Sequence, residues 1–504
     1  MSLPPSPIRR LIIVGGGTAG WMAAAFLSNL FGRDRLKLTL VESAEIGTVG
    51  VGEATIPPIK FFNHAAGVDE AAFLRATEGT YKLGIEFADW VRPGHRYMHP
   101  FGQAGQAVHG VSYHAWWLRL RAAGYDAPLS DFWLSEQMAY RNRFDFPAAD
   151  PRSPKSTLAY AYHFDAGLYG VFLRGLAEAR GVERIEATVQ GVALDGESGT
   201  VSHLELAGGR RLEGDFFIDC TGFRGLLIGQ ALGRAYEDWS SFLPVDRAVA
   251  VGSPPVAPLR PYTVATAHKA GWQWRINLRN RTGNGYVYVS DHIGDDEAAA
   301  VLLAHLDAPA LADPRFLRFT TGRRRQPRHK NVVAMGLSSG FLEPLESTSI
   351  HFIQHALIKF AATFPMAKDD PVSADLYNGI MGEELEQARD FLIFHYHANQ
   401  RRGEPLWDRM REMTVPDRLA EKMELFRRRG YAIFPNQTLF QEPNWLAVML
   451  GQELIPEGYD PLAENGDLVQ MRAGFEETRR IVAQAAEGAP THEEMLTRVL
   501  ATQP

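Results

Sequence analysis

A chain of 504 residues with 45% hydrophobic and 22% charged side chains is large enough for two or three packed domains, and this composition excludes a disordered or fibrous protein. The formal net charge of −7 argues against a general binder of nucleic acid or of anionic membranes. Cys220 is the only cysteine, which excludes an intramolecular disulfide and is typical of a reducing compartment. We therefore expect a cytoplasmic protein without nucleic-acid or membrane partners.

The first predicted unit is a strand, a glycine turn, a helix and a second strand. Its segments are, in order, "RRLIIV", "GGGTAG", "WMAAAFLSNLFG" and "KLTLVES". Four glycines interrupt the apolar run "LIIVGGGTAGWMAAAFL", and no signal-peptide cleavage pattern accompanies it. We therefore predict a dinucleotide fold at this point rather than a membrane span.

The glycine turn carries the pattern GxGxxG, formed by Gly15, Gly17 and Gly20, and Glu42 ends the following strand. Glycines allow a tight turn and close approach of the backbone to a pyrophosphate, whose charge a helix N-terminus attracts. The carboxylate can accept ribose hydroxyls and disfavours a 2′-phosphate, so the pattern predicts FAD or NAD. No second GxGxxG lies between a strand and a helix, which indicates that electrons come from outside the chain.

The stretch "ATEGTYKLGIEFADW" has the period-two alternation of a strand. One face carries Tyr81, Leu83, Ile85 and Phe87, and the other face carries Lys82, Gly84 and Glu86. Taken alone, the pattern fits a half-exposed edge strand with Lys82 in solvent.

The remaining chain alternates between α/β and helical texture. The segments "PYTVATAHKAGWQWRINL" and "GYVYVS" predict antiparallel sheet, and the chain after about residue 370 is mostly helical. We predict an α/β fold, in which a GxGxxG FAD-binding core with a mixed sheet carries a mainly helical substrate lobe. The predicted core comprises residues 1–90 and 156–370, and the predicted lobe comprises residues 91–155 and 371–504.

A helix is predicted from about residue 347 to 365, after a turn rich in Gly and Pro. Its N-terminus falls at Ser347, Thr348 or Ser349, where unpaired backbone N–H groups and the helix dipole can bind an anion. Simple N-capping by a hydroxyl is the alternative. Glu346 stands next to this turn, where a partly desolvated carboxylate could act as a base.

Two further groups are interpreted as structural. His351 and His355 have metal-ligand spacing, but "HFIQH" lacks the glutamate of HExxH and no third ligand is evident, so no metal site is predicted. The basic run "RRRQPRHK" at 323–330 is interpreted as a solvated loop.

The ordered set of motifs resembles the flavin-dependent tryptophan halogenase family from about residue 11 to about residue 400. The motifs are "VGGGTAGWMAA", "VGVGEATIP", "YKLGIEF", "HPFG", "HFDAGLYGVFL", "FIDCTGFRGLLI", "GWQWRI" and "GLSSGFLEPLESTSI". The resemblance implies a flavin-monooxygenase-like core that uses FADH2 supplied by a separate flavin reductase. In the family a flavin hydroperoxide oxidises halide, bromide or chloride, and hypohalous acid then travels through a tunnel to an electron-rich arene.

The resemblance also implies roles for individual residues. Lys82 matches the lysine that binds the hypohalous acid or forms a haloamine, and Glu346 matches the catalytic glutamate. Thr348 and Ser349 match the halide-binding positions. Matches to flavin-contacting positions are Gly17, Thr18, Ala19, Glu42, Ala54, Val189, Leu337 and Ile350. Trp272 and Trp274 match a motif thought to keep substrate away from the flavin, although Asn277 replaces its usual proline.

The resemblance is weakest for the substrate. His99 and Phe101 match residues that sandwich an indole ring, whereas the family's C-terminal tryptophan-binding segment is replaced by the shorter "LFQEPNWLAVMLG". An indole-like or other flat arene is therefore favoured over free tryptophan. The alternatives are a two-component flavin-dependent aromatic hydroxylase and a non-catalytic FAD-binding regulatory module.

Overall fold

A computed structural model of the protein describes residues 8–43, 52–108, 110–432 and 439–502. The motif "VGVGEATIP" spans residues 49–57, and its first three residues, 49–51, lie outside the described residues. The chain divides into two compact units. Unit 1 is 1–79, 164–246 and 318–385, and unit 2 is 80–163, 247–317 and 386–504.

The described residues contain strands that belong to several sheets. In chain order they are β1 (Arg10–Val14), β2 (Lys37–Glu42), β3 (Glu53–Ala54), β4 (Thr80–Lys82), β5 (Gly84–Ala88), β6 (Arg96–Pro100), β7 (Ala161–Phe164), β8 (Glu183–Glu186), β9 (Val189–Leu194), β10 (Val201–Leu206), β11 (Arg211–Glu213), β12 (Phe216–Asp219), β13 (Tyr236–Asp238), β14 (Arg247–Ser253), β15 (Thr263–His268), β16 (Gly271–Asn277), β17 (Thr282–Tyr288), β18 (Arg315–Arg318), β19 (Gly322–Arg324), β20 (Arg328–His329), β21 (Val332–Ala334) and β22 (Gly340–Phe341).

The α-helices are concentrated in the last third of the chain. They are α1 (Thr18–Phe31), α2 (Pro58–Ala65), α3 (Glu70–Ala76), α4 (Tyr113–Ala122), α5 (Leu134–Ala139), α6 (Ala166–Ala179), α7 (Asp295–Ala304), α8 (Ser349–Ala362), α9 (Pro371–His397), α10 (Pro405–Glu412), α11 (Asp417–Arg429), α12 (Glu442–Gly451), α13 (Leu468–Gly488) and α14 (His492–Ala501). Short 3-10 helices include Gly336–Ser338 and Leu345–Ser347.

Unit 1 is built on a six-stranded sheet with the order β20-β21-β12-β1-β2-β8. The pairs that join β21, β12, β1, β2 and β8 are parallel, while β20 is antiparallel to β21, so the sheet is mixed. A three-stranded sheet, β11-β10-β9, shares a buried apolar cluster with it. Helices α1 and α8 pack against each other and α1 also packs on α6. The carboxyl end of β1 therefore leads directly into the glycine turn and α1.

Unit 2 contains a seven-stranded sheet with the order β18-β14-β17-β16-β15-β5-β6. From β14 to β6, the neighbouring strands pair antiparallel except for β15 and β5, which are parallel. Helix α7 packs on β14 and β17, where side chains of the strands form an apolar cluster with Ala298 and Leu302. Helix α12 packs on β6 at the end of this sheet. The antiparallel arrangement predicted from "PYTVATAHKAGWQWRINL" and "GYVYVS" is confirmed.

The α/β class with a mixed sheet is confirmed, and residues 80–90 and 247–317 belong to unit 2. This division assigns neither unit a function, so the predicted separation into a FAD core and a substrate lobe stays a prediction. No helix in the described part of the chain is long and apolar enough to cross a membrane.

The interpretation of residues 323–330 as a solvated loop was wrong. Arg323, Arg324 and Arg328 are buried. The guanidinium of Arg323 donates to Glu237, and that of Arg328 donates to backbone and hydroxyl oxygens of two distant helical segments. Because these acceptors lie far away in sequence, the local charge pattern could not reveal them.

Candidate active site

The glycine turn has the geometry of a dinucleotide cradle. Gly15 has φ of +110°, and a Cβ built on it would lie 2.3 Å from the carbonyl oxygen of Cys220. A Cβ on Gly20 would lie 1.9 Å from the carbonyl oxygen of Gly15. Both positions therefore need glycine for close packing of turn, sheet and helix.

Gly17 has a different environment, because it faces open space. Gly17 is the N-cap residue of α1, and it has no side chain that could accept a hydrogen bond from the first N–H groups of the helix. A Cβ built on it would meet no atom within 4 Å. The first N–H groups of a helix lack intrahelical acceptors and carry the positive end of the dipole. Thr18 and Ala19 begin this helix, so the turn offers backbone donors and room for a pyrophosphate.

Glu42 lies at the carboxyl end of β2, beside the turn. Its carboxylate accepts a hydrogen bond from the guanidinium of Arg184, which fixes the side chain. The second carboxylate oxygen lies beside Gly16, where a Cβ would sit only 1.5 Å from it. Glu42 is therefore held against the glycine turn, in the position that a ribose-binding carboxylate requires.

The other predicted flavin contacts surround the same turn or follow β2. Gly336 packs against Ala19 and Ile353, since its Cβ would lie 3.0 Å and 3.6 Å from their side-chain carbons. This contact brings Leu337 and the first turn of α8, which includes Ile350, to the N-terminus of α1. Near the end of β2, the Ser43 hydroxyl lies 3.0 Å from that of Thr188, the residue before Val189. Ala54 is buried in β3. These residues of unit 1 fit a bound FAD.

Glu53 precedes Ala54 and was not singled out by the sequence. Burial, and then the charge of Asp165, raise the pKa of Glu53 to about 7. A carboxyl that titrates near neutral pH is a common feature of functional sites. No local motif predicts the proximity of Asp165, which lies more than a hundred residues later in the chain.

The turn before α8 has an unusual backbone. Glu343, Glu346 and Ser347 have φ of 126°, 65° and 59°. Non-glycine residues in this region are strained by roughly 1–3 kcal/mol each, and such strain concentrates at functional sites. Glu346 is 1% exposed, so the turn holds a carboxylate in a nearly dry environment. This is the environment predicted for a base.

The N-terminus of α8 is not capped by a side chain. Thr348 occupies the N-cap with helical φ and ψ of −90° and −13°, and its side chain makes no capping hydrogen bond. Its hydroxyl is fully buried and has no hydrogen-bond partner among the described residues. The alternative of simple N-capping is therefore wrong for Thr348. The buried hydroxyl and the first N–H groups of α8, including that of Ser349, can serve an anion.

Lys82 lies in unit 2, where its strand is buried on both faces. Lys82 is 0% exposed, and every residue of β4 and β5 is buried, so the alternative of a half-exposed edge strand was wrong. The Nζ atom lies 5.3 Å from the centre of the Phe101 ring. Lysine is almost never fully buried unless it is paired, because removing an ammonium from water is costly.

A hydrogen-bond chain holds the strand that carries Lys82. The hydroxyl of Thr80 donates to the carbonyl of Asn277 at 2.8 Å, so it must accept from Nδ1 of His163 at 3.2 Å. Nε2 of His163 then accepts from the hydroxyl of Thr263 at 2.9 Å. Burial, and then the charge of Lys82, lower the pKa of His163 well below its usual value. The imidazole is therefore neutral and fixed in one tautomer.

His99 and Phe101 extend along one face of the segment that contains β6. Nε2 of His99 lies 3.0 Å from the amide nitrogen of Asn444 in α12, and the His99 ring lies edge-on to Phe391 at 5.7 Å. Phe391 stacks on Phe440 with ring centres 3.9 Å apart. The structure thus brings Phe101 to Lys82 and surrounds His99 with flat side chains. Asn444, Phe391 and Phe440 had no sequence signal, because they reach this place only through folding.

The tryptophans that the sequence singled out are packed into unit 2. Trp272 and Trp274 are buried, and the ring of Trp274 covers Gly285 on the neighbouring strand. Trp445 is 1% exposed and packs edge-on against Phe391, under the ammonium of Lys422. Trp445 is therefore a core residue of the helix that covers β6.

Comparisons with known proteins identify relatives over almost the whole chain. Residues 10–467 match the family model described as tryptophan halogenase. The 7-chloro-L-tryptophan 6-halogenase KtzR of Kutzneria sp. (strain 744) is 37% identical over 97% of this chain and 99% of its own. The tryptophan 7-halogenase RebH of Lentzea aerocolonigenes is 34% identical over 90% of this chain and 91% of its own.

Solved structures give the same picture. BrvH, a flavin-dependent halogenase from Brevundimonas sp. BAL3, is 43% identical with a TM-score of 0.93 and coverage of 98% of this chain and 99% of its own. A flavin-dependent halogenase from Xanthomonas campestris is 44% identical with a TM-score of 0.94 and coverage of 99% of both chains.

Proposed function

Because this chain belongs to the tryptophan halogenase family and is a flavin-dependent halogenase, we propose that it halogenates an electron-rich, indole-like arene with Lys82 as the residue that transfers the halogen. The observation that carries this proposal is the complete burial of Lys82 with its Nζ atom over the Phe101 ring. A buried amine beside an aromatic wall is suited to reaction with a small neutral oxidant, and a solvent-exposed lysine is not.

Bound FADH2, delivered by a separate reductase, would supply the reduction of oxygen and the oxidation of halide. The residues of unit 1 that would hold it are those around Gly17, Glu42 and Ile350. Thr348 and Ser349 would hold the halide through the first N–H groups of α8. The cytoplasmic location predicted from cysteine usage stays a prediction.

The later steps follow the roles that the family resemblance implies for Lys82 and Glu346. The Lys82 amine would hydrogen-bond hypohalous acid or exchange a proton for the halogen, releasing water. Attack by the arene carbon would move the halogen to the ring. The carboxylate of Glu346 would then accept the ring proton, so that aromaticity returns.

The substrate proposal depends on the surroundings of His99. The side chains that contact His99 or Phe391 include Asn444, Phe440 and Trp445, which are neutral. Leaving the ammonium and carboxylate of free tryptophan without partners in a closed pocket would cost affinity. We therefore favour indole or a simple substituted indole. In the family that the chain resembles, glycine usually follows the position matched by Thr348, whereas this chain has Ser349 there. Bromide is favoured over chloride, because this change could reshape the halide site and because bromide is easier to oxidise and to desolvate.

The test uses the purified chain with FADH2 from an unrelated flavin reductase, oxygen and indole, with and without bromide. A product with the isotope pattern of bromine, formed only with bromide, is expected. An oxygenated arene formed in both reactions would instead identify a hydroxylase, and FAD binding without any product would identify a non-catalytic module.

Competition of indole against tryptophan in equal chloride and bromide then tests the substrate and halide. Efficient chlorination of tryptophan would contradict both parts.

A further inference from the structure

Three side chains with metal-ligating atoms meet at helices α8 and α9. Nε2 of His351 lies 2.9 Å from Oε1 of Glu384, and Nδ1 of His355 lies 3.7 Å from the same oxygen. One ligand atom from each residue lies within 4.8 Å of the other two. All three residues belong to unit 1. The sequence near the two histidines contains no evident third ligand, whereas the fold places Glu384 of the following helix, α9, beside them.

The separations match those of a coordination sphere. Zinc lies about 2.0–2.2 Å from nitrogen and oxygen ligands, and a tetrahedral arrangement then separates the ligand atoms by about 3.3–3.6 Å. The observed distances from Oε1 of Glu384 to the nitrogens of His351 and His355, 2.9 Å and 3.7 Å, lie just below and just above this range. We infer that His351, His355 and Glu384 bind one divalent cation of the zinc class, with a fourth position open to water.

The charges of the three side chains are suited to a cation. Glu384 is 1% exposed and His351 is 7% exposed, and a buried carboxylate is stable when it is paired or coordinates a metal. Imidazoles beside this carboxylate complete a ligand set that suits a divalent cation.

The ligand set also indicates which cation binds and how tightly. Two imidazoles and one carboxylate suit zinc, cobalt or nickel, whereas magnesium and calcium prefer oxygen ligands. Nδ1 of His351 and Nε2 of His355 have no hydrogen-bond partner within the described ranges. Partners at these nitrogens normally increase metal affinity by about 10–100-fold. We therefore expect an affinity well below that of a fully supported zinc site.

The bound cation would brace the start of α8. This helix begins at Ser349, so His351 and His355 lie in its first two turns, and Glu384 lies in α9. A metal bridge would fix the first turn of α8 against α9 without any part in oxidation. The inference goes beyond the proposed halogenation, and failure of either leaves the other intact.

The experiment measures metal binding by the full chain after removal of any affinity tag. Protein stripped with a chelator and desalted is titrated with Co²⁺, whose visible absorption reports tetrahedral nitrogen and oxygen ligands. Zinc content is measured by mass spectrometry, and thermal unfolding is followed with and without added Zn²⁺. His355→Gln and Glu384→Gln each remove one ligand. His64→Gln, an exposed histidine of α2, is the matched control.

The wild type and His64→Gln should bind one equivalent of Co²⁺, and Zn²⁺ should displace it and raise their unfolding temperature. Each ligand variant should bind at least about 10-fold more weakly and lose the rise in unfolding temperature. If the wild type gives no cobalt absorption and no zinc-dependent rise, the inference is wrong even if a variant fails to fold. Equal binding by the ligand variants and the control would also overturn it.

Discussion

Replacing Lys82 with Met should abolish halogen transfer and leave the reaction of reduced flavin with oxygen intact. Methionine has nearly the volume of the lysine stem but no amine. Lys82 is not among the residues proposed to bind FAD. Product formation should fall by about 10²- to 10⁴-fold, the usual contribution of a positioned group that transfers a proton or its equivalent.

The expected effect of Lys82→Met on the unfolding free energy follows from the burial of Lys82. The cation–π contact with Phe101 is worth up to about 2 kcal/mol when desolvated, but removal of a buried ammonium also removes its desolvation cost. These terms oppose each other, so Lys82→Met should change the unfolding free energy little. Lys82→Ala would leave a cavity that costs about 2–5 kcal/mol of unfolding free energy. A loss of product could then come from unfolding as well as from the missing amine.

The assay measures two quantities for the same sample: the rate at which FADH2 is oxidised, by absorbance, and the brominated product, by mass spectrometry. Lys422→Met is the matched control, because Lys422 is also buried in unit 2, with its Nζ 4.4 Å from the Trp445 ring centre. The control should halogenate normally. Substantial brominated product from Lys82→Met, at a rate near that of Lys422→Met, would refute the role of the amine.

Three further substitutions test the remaining groups of the site. Glu346→Gln keeps the shape of the buried side chain but removes the base, so turnover should fall by about 10²-fold or more. Near-normal turnover would indicate that Glu346 has only a structural role. Thr348→Val removes the buried hydroxyl. The halide KM should rise by roughly 10-fold, which corresponds to the free energy of one hydrogen bond, and the arene KM should not change. An unchanged halide KM would exclude the hydroxyl from halide binding. Asn444→Leu removes the contact with His99, so the arene KM should rise while FADH2 oxidation is unaffected; an arene KM equal to that of the wild type would contradict this role.

Local patterns predicted the elements that depend on local physics. The strand, turn and helix around Gly17 and the start of α8 near residue 347 were found within a few residues, since glycine conformation and apolar periodicity are local properties. The burial of Lys82 could not be predicted from alternation alone. Period two separates the faces of a strand but does not say whether the second face meets solvent or another layer.

The groups that complete the candidate active site and the proposed cation site depend on contacts between distant residues. Asn444 reaches His99 across 345 positions, and Glu384 reaches His351 across 33. Neither pair has a spacing that a helix or strand would enforce. The resemblance to a family supplied Lys82 as a candidate for catalysis, whereas its buried state, which supports that role, is a property of the fold.

The last prediction concerns pH and Glu53, whose pKa is raised from 4.5 to about 7 by burial and by Asp165. The folded protein holds this proton more tightly than the unfolded chain, so its contribution to stability is complete below about pH 4.5 and is lost as pH rises through about 7. Glu53→Gln is neutral throughout and should exceed the wild type in unfolding free energy at pH 8 by roughly 1–3 kcal/mol, with little difference at pH 4.5. Denaturant unfolding at both pH values measures this, with the exposed Glu197→Gln as the control. Parallel pH dependence of Glu53→Gln and the wild type would show that Glu53 is ionised in the folded protein at neutral pH, and that the segment before Ala54 carries a negative charge where FAD is proposed to bind.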